Sequence, residues 1–368
     1  CGLKACSDVG DTYKGSIMHA EIVGNGLFQK DFVIGDALIN MYSKLGELLK
    51  SKEVFEKVPT LSKSSWNALL VGYAQHGQNN KTINSFGRMQ NEGMCPDVIT
   101  FICILKACGG IRAINKGKQI HNKIMSEGLL EKDLMLGSAL VDMYAKCGVL
   151  ERARKVLEEL PLRNIVTWNA LISGYAQQDQ YQEVLYSYER MQSEGISPDQ
   201  FTCSCIMKVC GSIGAIDEGQ KIHDEILSRG FHTEDTMLLR TALLNMYAKC
   251  GELAMAQKEF DLLQYHDSVS WNAVINGYSL YGHGKEASAC FERMQCEAQF
   301  PNSVTILCML RACIAVGALD RGKIIHSRIV GHELPPRVGS ALVDMYVKCG
   351  TLEKAEEVFR EIKVRNVV

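Results

Sequence analysis

The sequence has almost no net charge and no long apolar run. Lys and Arg number 40 against 42 Asp and Glu, so the formal net charge is −2. The basic excess that drives sequence-independent binding to nucleic acid is therefore missing, although binding through base contacts stays open. No apolar run approaches the ~18–20 residues that span a bilayer, so we expect no membrane partner.

Motifs for metal binding and catalysis are also scarce. No CxxC occurs among the 15 cysteines, so we expect no metal ion and no cofactor. A glycine-rich phosphate loop and a serine nucleophile elbow are missing too. His19-Ala20-Glu21 and His223-Asp224-Glu225 match by letters the HxE of zinc deaminases, which also need PCxxC. Both histidines share one repeat position, so we predict that they pack and that this segment is not an enzyme.

A long internal repeat dominates what is present. The string GSALVDMYAKCG at 137–148 has echoes at 35–46, 240–251 and 339–350. A fixed long period indicates an array of stacked repeats rather than independent domains. The shared tyrosines lie at intervals of 102, 103 and 99 residues: Tyr42, Tyr144, Tyr247 and Tyr346.

Seven of the 15 cysteines occupy two positions of the same repeat. Residues that recur at the repeat interval indicate recurring packing positions, so we predict buried, reduced thiols in a reducing compartment. One repeat position holds Cys6, Cys108, Cys210 and Cys313, and another holds Cys147, Cys250 and Cys349.

Each long period divides into three repeat units, and each unit has two apolar-periodic segments separated by a glycine or polar break. Ala153, Val156, Leu157 and Leu160 fall at i, i+3, i+4 and i+7, which is one stripe of a helix. Gly148 precedes this segment, at a place where a left-handed helix cap favours glycine. Helix pairs of this kind bury their stripes by stacking, which predicts an all-α solenoid of helix-turn-helix repeats.

The tryptophans distinguish between helical repeats of similar length. They occur as Trp-Asn-Ala at 66–68, 168–170 and 271–273, each followed by Gly-Tyr, and not in the W-x2-L-G-x2-Y pattern of tetratricopeptide repeats. SWNALLVGYAQHG, TWNALISGYAQ and SALVDMYAKCG resemble the pentatricopeptide repeat family, specifically its plant PLS subclass of alternating P, L and S units. The resemblance covers the whole chain and implies a right-handed α-solenoid superhelix. A protein-binding scaffold of the tetratricopeptide type is the alternative.

We expect a single array of eleven repeat units. Both ends of the chain fall inside repeats, so we expect a fragment that is cut at both ends. The predicted units are L 1–31 (partial), S 32–62, P 63–97, L 98–133, S 134–164, P 165–199, L 200–236, S 237–267, P 268–302, L 303–335 and S 336–366. Positions below are counted from the first residue of a unit.

The resemblance implies binding of single-stranded RNA, one base per unit, with the protein N-terminus toward the RNA 5′ end. In the family, position 5 and the last residue of a unit hydrogen-bond the base edge. The P units supply Asn67 with Asp97, Asn169 with Asp199, and Asn272 with Asn302; the S units supply Ser138 with Asn164, Thr241 with Asp267, and Ser340 with Asn366. The family code then gives 5′-NUNAUNGYNA-3′, with Y preferably C. Asp36 with Ser62 departs from the code, and L units carry Ile102, Ser204 and Leu307 at position 5, so these are left as N.

Two further positions support an RNA-facing surface. Position 13 of the S units holds Lys44, Lys146, Lys249 and Lys348, which in the family can contact phosphate. The alternative is that each lysine favours the dipole at the end of its helix. In the family, apolar side chains at position 2 sandwich the bases. Here these residues are Val33, Met135, Val166, Leu238 and Val269. Ser64 and Arg337 depart from that pattern.

The resemblance also implies a biological setting. It is that of an organellar RNA-processing or C-to-U editing factor, in the mitochondrion or chloroplast. Its partners would be organellar single-stranded RNA and a deaminase or other editing factors. Any deaminase-type domain would lie outside this segment.

Overall fold

The structure, a computed structural model, describes residues 2–26, 32–130, 133–230, 237–329 and 335–362. The elements in these residues are all α-helices, and the chain divides into an N-terminal half (Cys1–Ser197) and a C-terminal half (Pro198–Val368). The N-terminal half contains α1 (Gly2–Val9), α2 (Thr12–Gly24), α3 (Phe32–Lys44), α4 (Leu48–Lys57), α5 (Lys63–Gln75), α6 (Asn79–Asn91), α7 (Val98–Gly110), α8 (Ile114–Ser126), α9 (Leu134–Lys146), α10 (Leu150–Glu159), α11 (Ile165–Gln177) and α12 (Tyr181–Ser193). The C-terminal half contains α13 (Gln200–Ile213), α14 (Ile216–Ser228), α15 (Met237–Cys250), α16 (Leu253–Asp261), α17 (Ser268–Leu280), α18 (Gly284–Cys296), α19 (Ser303–Val316), α20 (Leu319–Ile329), α21 (Pro336–Lys348) and α22 (Leu352–Glu361).

The helices stack as pairs within each half. In the N-terminal half, α9 packs against its own partner α10 and also against α7 and α11, the first helices of the neighbouring pairs. The all-α helical-repeat solenoid expected from the sequence is therefore confirmed. Within the described parts of the chain, no helix combines the length and apolarity needed to cross a membrane.

Local sequence explains why the pairs form. The predicted stripe of α10 is buried, since Ala153, Val156 and Leu157 have no exposed surface and Leu160 has 4%. Gly148 separates this helix from α9 with a φ of +79°, in the left-handed region that a residue without Cβ adopts at no steric cost. The turn predicted at Gly148 is therefore confirmed.

Polar residues cap the first helix of most pairs. Asp97 precedes α7, and its Oδ1 accepts a hydrogen bond from the backbone N–H of Thr100 at 2.9 Å. The Thr100 hydroxyl in turn accepts from the backbone N–H of Asp97 at 3.2 Å, which completes a capping box. Side-chain caps of this kind come from Ser62, Asp97, Asp133, Asn164, Asp199, Asp267 and Asn302.

The recurring cysteines divide into two groups. Cys6, Cys108, Cys210 and Cys313 are buried as predicted. Burial raises the pKa of Cys108 to about 11 and that of Cys210 to about 12, which keeps both thiols protonated and unreactive near neutral pH. The second group is only half-buried, because its position lies at the end of the first helix: Cys147, Cys250 and Cys349.

Candidate nucleic-acid interface

Position 2 of the repeat units forms an exposed row of mostly apolar side chains. Ten of these residues are described, all ten are exposed, and eight are apolar with 47% to 61% of their surface accessible. We call these eight the apolar row: Val33, Ile99, Met135 and Val166 in the N-terminal half, and Phe201, Leu238, Val269 and Val304 in the C-terminal half. Apolar residues in the first turn of a packed helix usually face the core, so this regular exposure marks a candidate binding surface.

The sequence prediction covers five members of the apolar row. Ile99, Phe201 and Val304 belong to L units and were not among them. They occupy the same repeat position as the other five, so the alignment of units contained the signal. Ser64 and Arg337, which replace the apolar residue in two units, are also exposed.

Asn67 and Asp97 are brought together by the fold, although they are 30 residues apart. Nδ2 of Asn67 donates to Oδ2 of Asp97 at 2.8 Å. The Thr100 hydroxyl, at position 3 of the following unit, donates to Oδ1 of Asn67 at 2.8 Å. Since a carboxylate only accepts hydrogen bonds, this contact fixes which way the Asn67 amide faces.

Asp97 stays ionised in this network. Burial raises the pKa of its carboxyl group, but hydrogen bonds from Thr100 and Asn67 and the charge of Lys63 lower it by more, so the pKa lies below the usual value. Its Oδ1 is occupied by the helix cap, whereas Oδ2 accepts only from Asn67. The half-buried pair therefore presents an acceptor from Asp97 and one remaining N–H from Asn67.

Asn272 and Asn302 repeat this arrangement in the C-terminal half. Nδ2 of Asn272 donates to Oδ1 of Asn302 at 3.2 Å, and the Thr305 hydroxyl donates to Oδ1 of Asn272 at 2.6 Å. Oδ1 of Asn302 also accepts the backbone N–H groups of Val304 and Thr305 at 3.0 and 3.1 Å. Asn302 is exposed, and its amide nitrogen donates to no described residue, so this pair offers a donor where Asn67 and Asp97 offer an acceptor.

The remaining P pair divides between the two halves of the chain. Asn169 lies half-buried on α11 in the N-terminal half. Asp199 caps α13 in the C-terminal half, where its Oδ1 accepts from the backbone N–H of Thr202 at 2.8 Å.

Two coded S pairs, Ser138 with Asn164 and Thr241 with Asp267, are not joined by a hydrogen bond in the described residues. The Ser138 hydroxyl donates to the Leu134 carbonyl at 3.0 Å and is buried, while Asn164 caps α11. Thr241 is half-buried, and Asp267 caps α17. Serine and threonine are shorter than asparagine, which explains why position 5 does not reach the last residue here. The exposed Ser340 hydroxyl donates to the Pro336 carbonyl at 3.1 Å, and its predicted partner Asn366 lies outside the described residues.

A pocket of about 320 Å³ lies beside Thr241 in the C-terminal half. Leu238, Thr241 and Lys249 of α15 line one side, and Ser204 and Lys208 of α13 line the other. The volume falls at the low end of small-molecule pockets, ~300–1,000 Å³. The pocket combines an apolar side chain from the apolar row, a hydroxyl and two cations, which suits a planar, polar-edged group next to a negative charge.

Three of the four predicted phosphate lysines already have acidic neighbours. Lys146 Nζ lies 2.7 Å from Asp142 and Lys348 Nζ lies 3.0 Å from Asp344, while Lys44 pairs with a more distant residue, Asp8, at 3.4 Å. Lys249 forms no ion pair with any described residue, because Asn245 replaces the aspartate four positions earlier. All four lysines are exposed.

The recurring histidines pair with the repeat tyrosines. Nδ1 of His121 lies 2.9 Å from the Tyr144 hydroxyl, and the two rings meet edge to face at 5.6 Å. Burial lowers the pKa of His121. The same contact recurs between His19 and Tyr42, His223 and Tyr247, and His326 and Tyr346. The predicted packing role is confirmed, and the described residues contain no group of three or more His, Cys, Asp or Glu side chains placed to hold a metal ion.

Two family models match the chain. The model described as "PPR repeat family" matches residues 62–110, 163–212 and 266–315. The model described as "PPR repeat" matches residues 36–60, 138–165, 201–231 and 340–367.

Curated relatives from Arabidopsis thaliana match over nearly the full chain. "Pentatricopeptide repeat-containing protein At2g39620" is 35% identical over 100% of this chain and 44% of its own length. "Pentatricopeptide repeat-containing protein At1g06140, mitochondrial" is 30% identical over 99% of this chain and 65% of its own. "Pentatricopeptide repeat-containing protein At1g11290, chloroplastic" is 31% identical over 99% and 45%. The chain thus spans about half the length of the curated relatives it matches.

Solved structures match in fold. The pentatricopeptide repeat protein PPR10 in complex with an 18-nt psaJ RNA element gives a TM-score of 0.73 at 16% identity, over 89% of this chain and 49% of that one. PPR10 from maize gives a TM-score of 0.54 at 18% identity, over 98% and 57%. Identities this low establish a shared fold only.

Proposed function

Since this chain belongs to the pentatricopeptide repeat family, we propose that it binds single-stranded RNA with one base per repeat unit. The observation that carries the proposal is the apolar row, which lies at one fixed position in eight of the ten units whose position 2 is described, near the polar residues of the helix caps. PPR10, a protein of the same fold, has been solved in complex with an RNA element. Side chains of the apolar row would lie against base faces, and the polar pairs would meet base edges.

The last residue of a unit would choose between two bases of similar size. Asp97 presents an acceptor, which complements N3–H of uracil. Asn302 presents an amide N–H, which complements the unprotonated N3 of cytosine. The same difference applies in the S units, where the acceptor of Asp267 suits N1–H of guanine and the amide of Asn164 suits N1 of adenine.

The combined length of the two residues would set the size of the base. Asparagine at position 5 meets an equally long Asp or Asn at the last position, as Asn67 meets Asp97, and two long side chains leave room for a pyrimidine. Serine or threonine stays on its own helix, as Ser138 does, and leaves room for a purine. The proposed site, 5′-NUNAUNGYNA-3′ with Y preferably C, follows from these two rules together.

Fluorescence anisotropy with ten-nucleotide RNAs tests the proposal. A probe that matches the site should bind more tightly than one with U and A exchanged at the coded positions, by about 1–3 kcal/mol for each mismatch. Asp97→Asn should move the preference at the second nucleotide from U toward C, and Asn302→Asp should move the eighth nucleotide from C toward U. Equal affinity for all these RNAs would refute base reading and favour a protein-binding scaffold.

We also propose the biological setting. The order of the units suits the PLS subclass, whose members serve organellar RNA processing and C-to-U editing. Two relatives are named as mitochondrial and chloroplastic, which supports one of these compartments here. In this proposal the segment selects the RNA, while a deaminase supplied by the rest of the protein or by a partner performs the chemistry.

A further inference from the structure

The first S unit (32–62) contains a polar network whose carboxylate lies at position 5 of the unit, whereas in the pair of Asn67 and Asp97 it lies at the last position. Asp36 occupies position 5, and its Oδ2 accepts from the Ser62 hydroxyl at 2.7 Å. Its Oδ1 accepts from the hydroxyl of Ser65, at position 3 of the following unit. The three positions are those of Asn67, Asp97 and Thr100, so this network is the structural counterpart of a base-reading pair.

The direction of the hydrogen bonds is reversed in this network. Position 5 donates to the last residue in the pair formed by Asn67 and Asp97, whereas here the last residue donates to position 5. Ser62 and Ser65 both turn their hydroxyl hydrogens toward the carboxylate of Asp36. The Ser62 oxygen meanwhile accepts the backbone N–H of Ser65 at 3.0 Å, as a helix cap.

The network therefore presents acceptors only. A carboxylate has about four lone-pair sites on its two oxygens, and the two serines use one on each. The described contacts leave one site on each oxygen of the half-buried Asp36, and the two oxygens of a carboxylate are adjacent to each other. A base that fits must offer two adjacent donors.

Guanine is the RNA base whose Watson–Crick edge does so, through N1–H and N2–H. Uracil offers a single N–H between two carbonyl acceptors, and adenine and cytosine each place an acceptor next to their amino group. We infer that the first S unit reads guanine, with Asp36 as the specificity-determining residue, so that the site becomes 5′-GUNAUNGYNA-3′. This inference rests on the proposed function.

Side-chain size supports a purine at this unit. Each P pair combines two long side chains, while each S pair that is assigned a purine combines a long and a short one. Asp36 and Ser62 also combine a long and a short side chain, with the order reversed. The space left by Ser62 at the last position accommodates the larger ring.

RNAs that differ only at the first nucleotide test the inference with the wild-type chain. G should bind more tightly than A, C or U by about 5-fold or more, the lower end expected for a bidentate base contact. Inosine keeps N1–H but lacks the N2 amino group, so its affinity should lie between those of G and A. An affinity independent of this nucleotide, or a preference for another base, would overturn the inference.

Two amide variants assign the effect to Asp36. Asp36→Asn is nearly isosteric and replaces one acceptor with an N–H donor, so the preference for G should disappear. The matched control Asp97→Asn should keep the preference for G at the first nucleotide while changing the second. Retention of the preference in Asp36→Asn would overturn the assignment; if this variant does not fold by circular dichroism, the wild-type series with inosine decides.

The same measurements separate this inference from the proposed function. If exchange of U and A at the coded positions changes affinity but the first nucleotide does not matter, only the assignment to Asp36 fails. If neither change alters affinity, base reading fails as a whole and the assignment fails with it.

Discussion

Residues 237–267 bury a carboxylate where the equivalent units bury valine. Glu259 is 3% exposed, and its Oε2 lies 3.4 Å from Nη1 of Arg240. Burial together with the Glu259 charge raises the pKa of Tyr247 to about 12. The three other S units have glycine and valine at the two positions of this pair: Gly35 and Val54, Gly137 and Val156, and Gly339 and Val358.

Removal of Arg240 alone should be far more harmful than removal of both partners. Arg240→Ala leaves Glu259 with His223, whose Nε2 is 3.8 Å from Oε1, as its ionic neighbour. Because Arg240 is 25% exposed, we expect a loss near the lower end for a broken buried pair, about 3 kcal/mol. Glu259→Val should cost about 1 kcal/mol or less, since Arg240 can turn to solvent. The double variant restores the valine of the other units and should lie within about 1 kcal/mol of wild type.

Native-state hydrogen exchange of the amides in α15 and α16 measures these changes. Local opening free energies are the appropriate measure for a repeat array, because each unit contacts mainly its neighbours. The coupling energy of the double-mutant cycle should be about 3 kcal/mol, and amides in α9 should be unaffected in all three variants. Additive effects, or an Arg240→Ala variant as stable as wild type, would refute the idea that the arginine is retained to neutralise Glu259.

Two more perturbations test the surface charge and the response to pH. Lys249→Ala should reduce the slope of log RNA affinity against log salt concentration by about 0.7, the value for one single-strand phosphate contact. Lys146→Ala should reduce this slope less, because Lys146 is already paired with Asp142. Equal slopes for the two variants in filter binding would contradict this. Burial lowers the pKa of His121 below its unfolded value near 6.5, so the unfolded chain takes up the proton first and stability falls as pH drops through ~6.5. The urea concentration at the unfolding midpoint should decrease when the pH is lowered from 7.5 to 5. The decrease should be smaller in His121→Gln, whose side chain can still hydrogen-bond Tyr144. An equal decrease in both proteins would count against this role of His121.

The helix pairs were predictable because their signals are local. The spacing of Ala153, Val156 and Leu157 alone predicts the buried stripe of α10, and Gly148 alone predicts the turn before it. The exposure of the apolar row was not predictable from spacing, because an apolar residue in a first turn has the same pattern whether a neighbouring helix covers it or not. Only the family resemblance indicated that Val33 or Leu238 faces outward, and the structure shows this directly.

The polar networks were still less accessible to sequence reasoning. Asn67 belongs to α5, whereas Asp97 and Thr100 belong to the start of α7, and these two segments meet only after two neighbouring pairs have stacked. The direction of their hydrogen bonds depends on which oxygen already accepts the helix-capping hydrogen bond, and the amino-acid sequence does not contain that information. The pair of Arg240 and Glu259 likewise forms between two helices, so it becomes visible only when equivalent positions are compared in space.

Asp97 combines a structural role with the proposed recognition role. Its Oδ1 caps α7, and its Oδ2, which accepts from Asn67, is the atom that would meet a base edge in the proposed function. Alanine would remove the cap as well as the acceptor, and a loss of affinity would then say nothing about recognition. Asparagine keeps the cap, as Asn302 does before α19, and changes only the outward-facing group. A shift in base preference with unchanged stability is therefore the result that distinguishes base reading from helix capping at these positions.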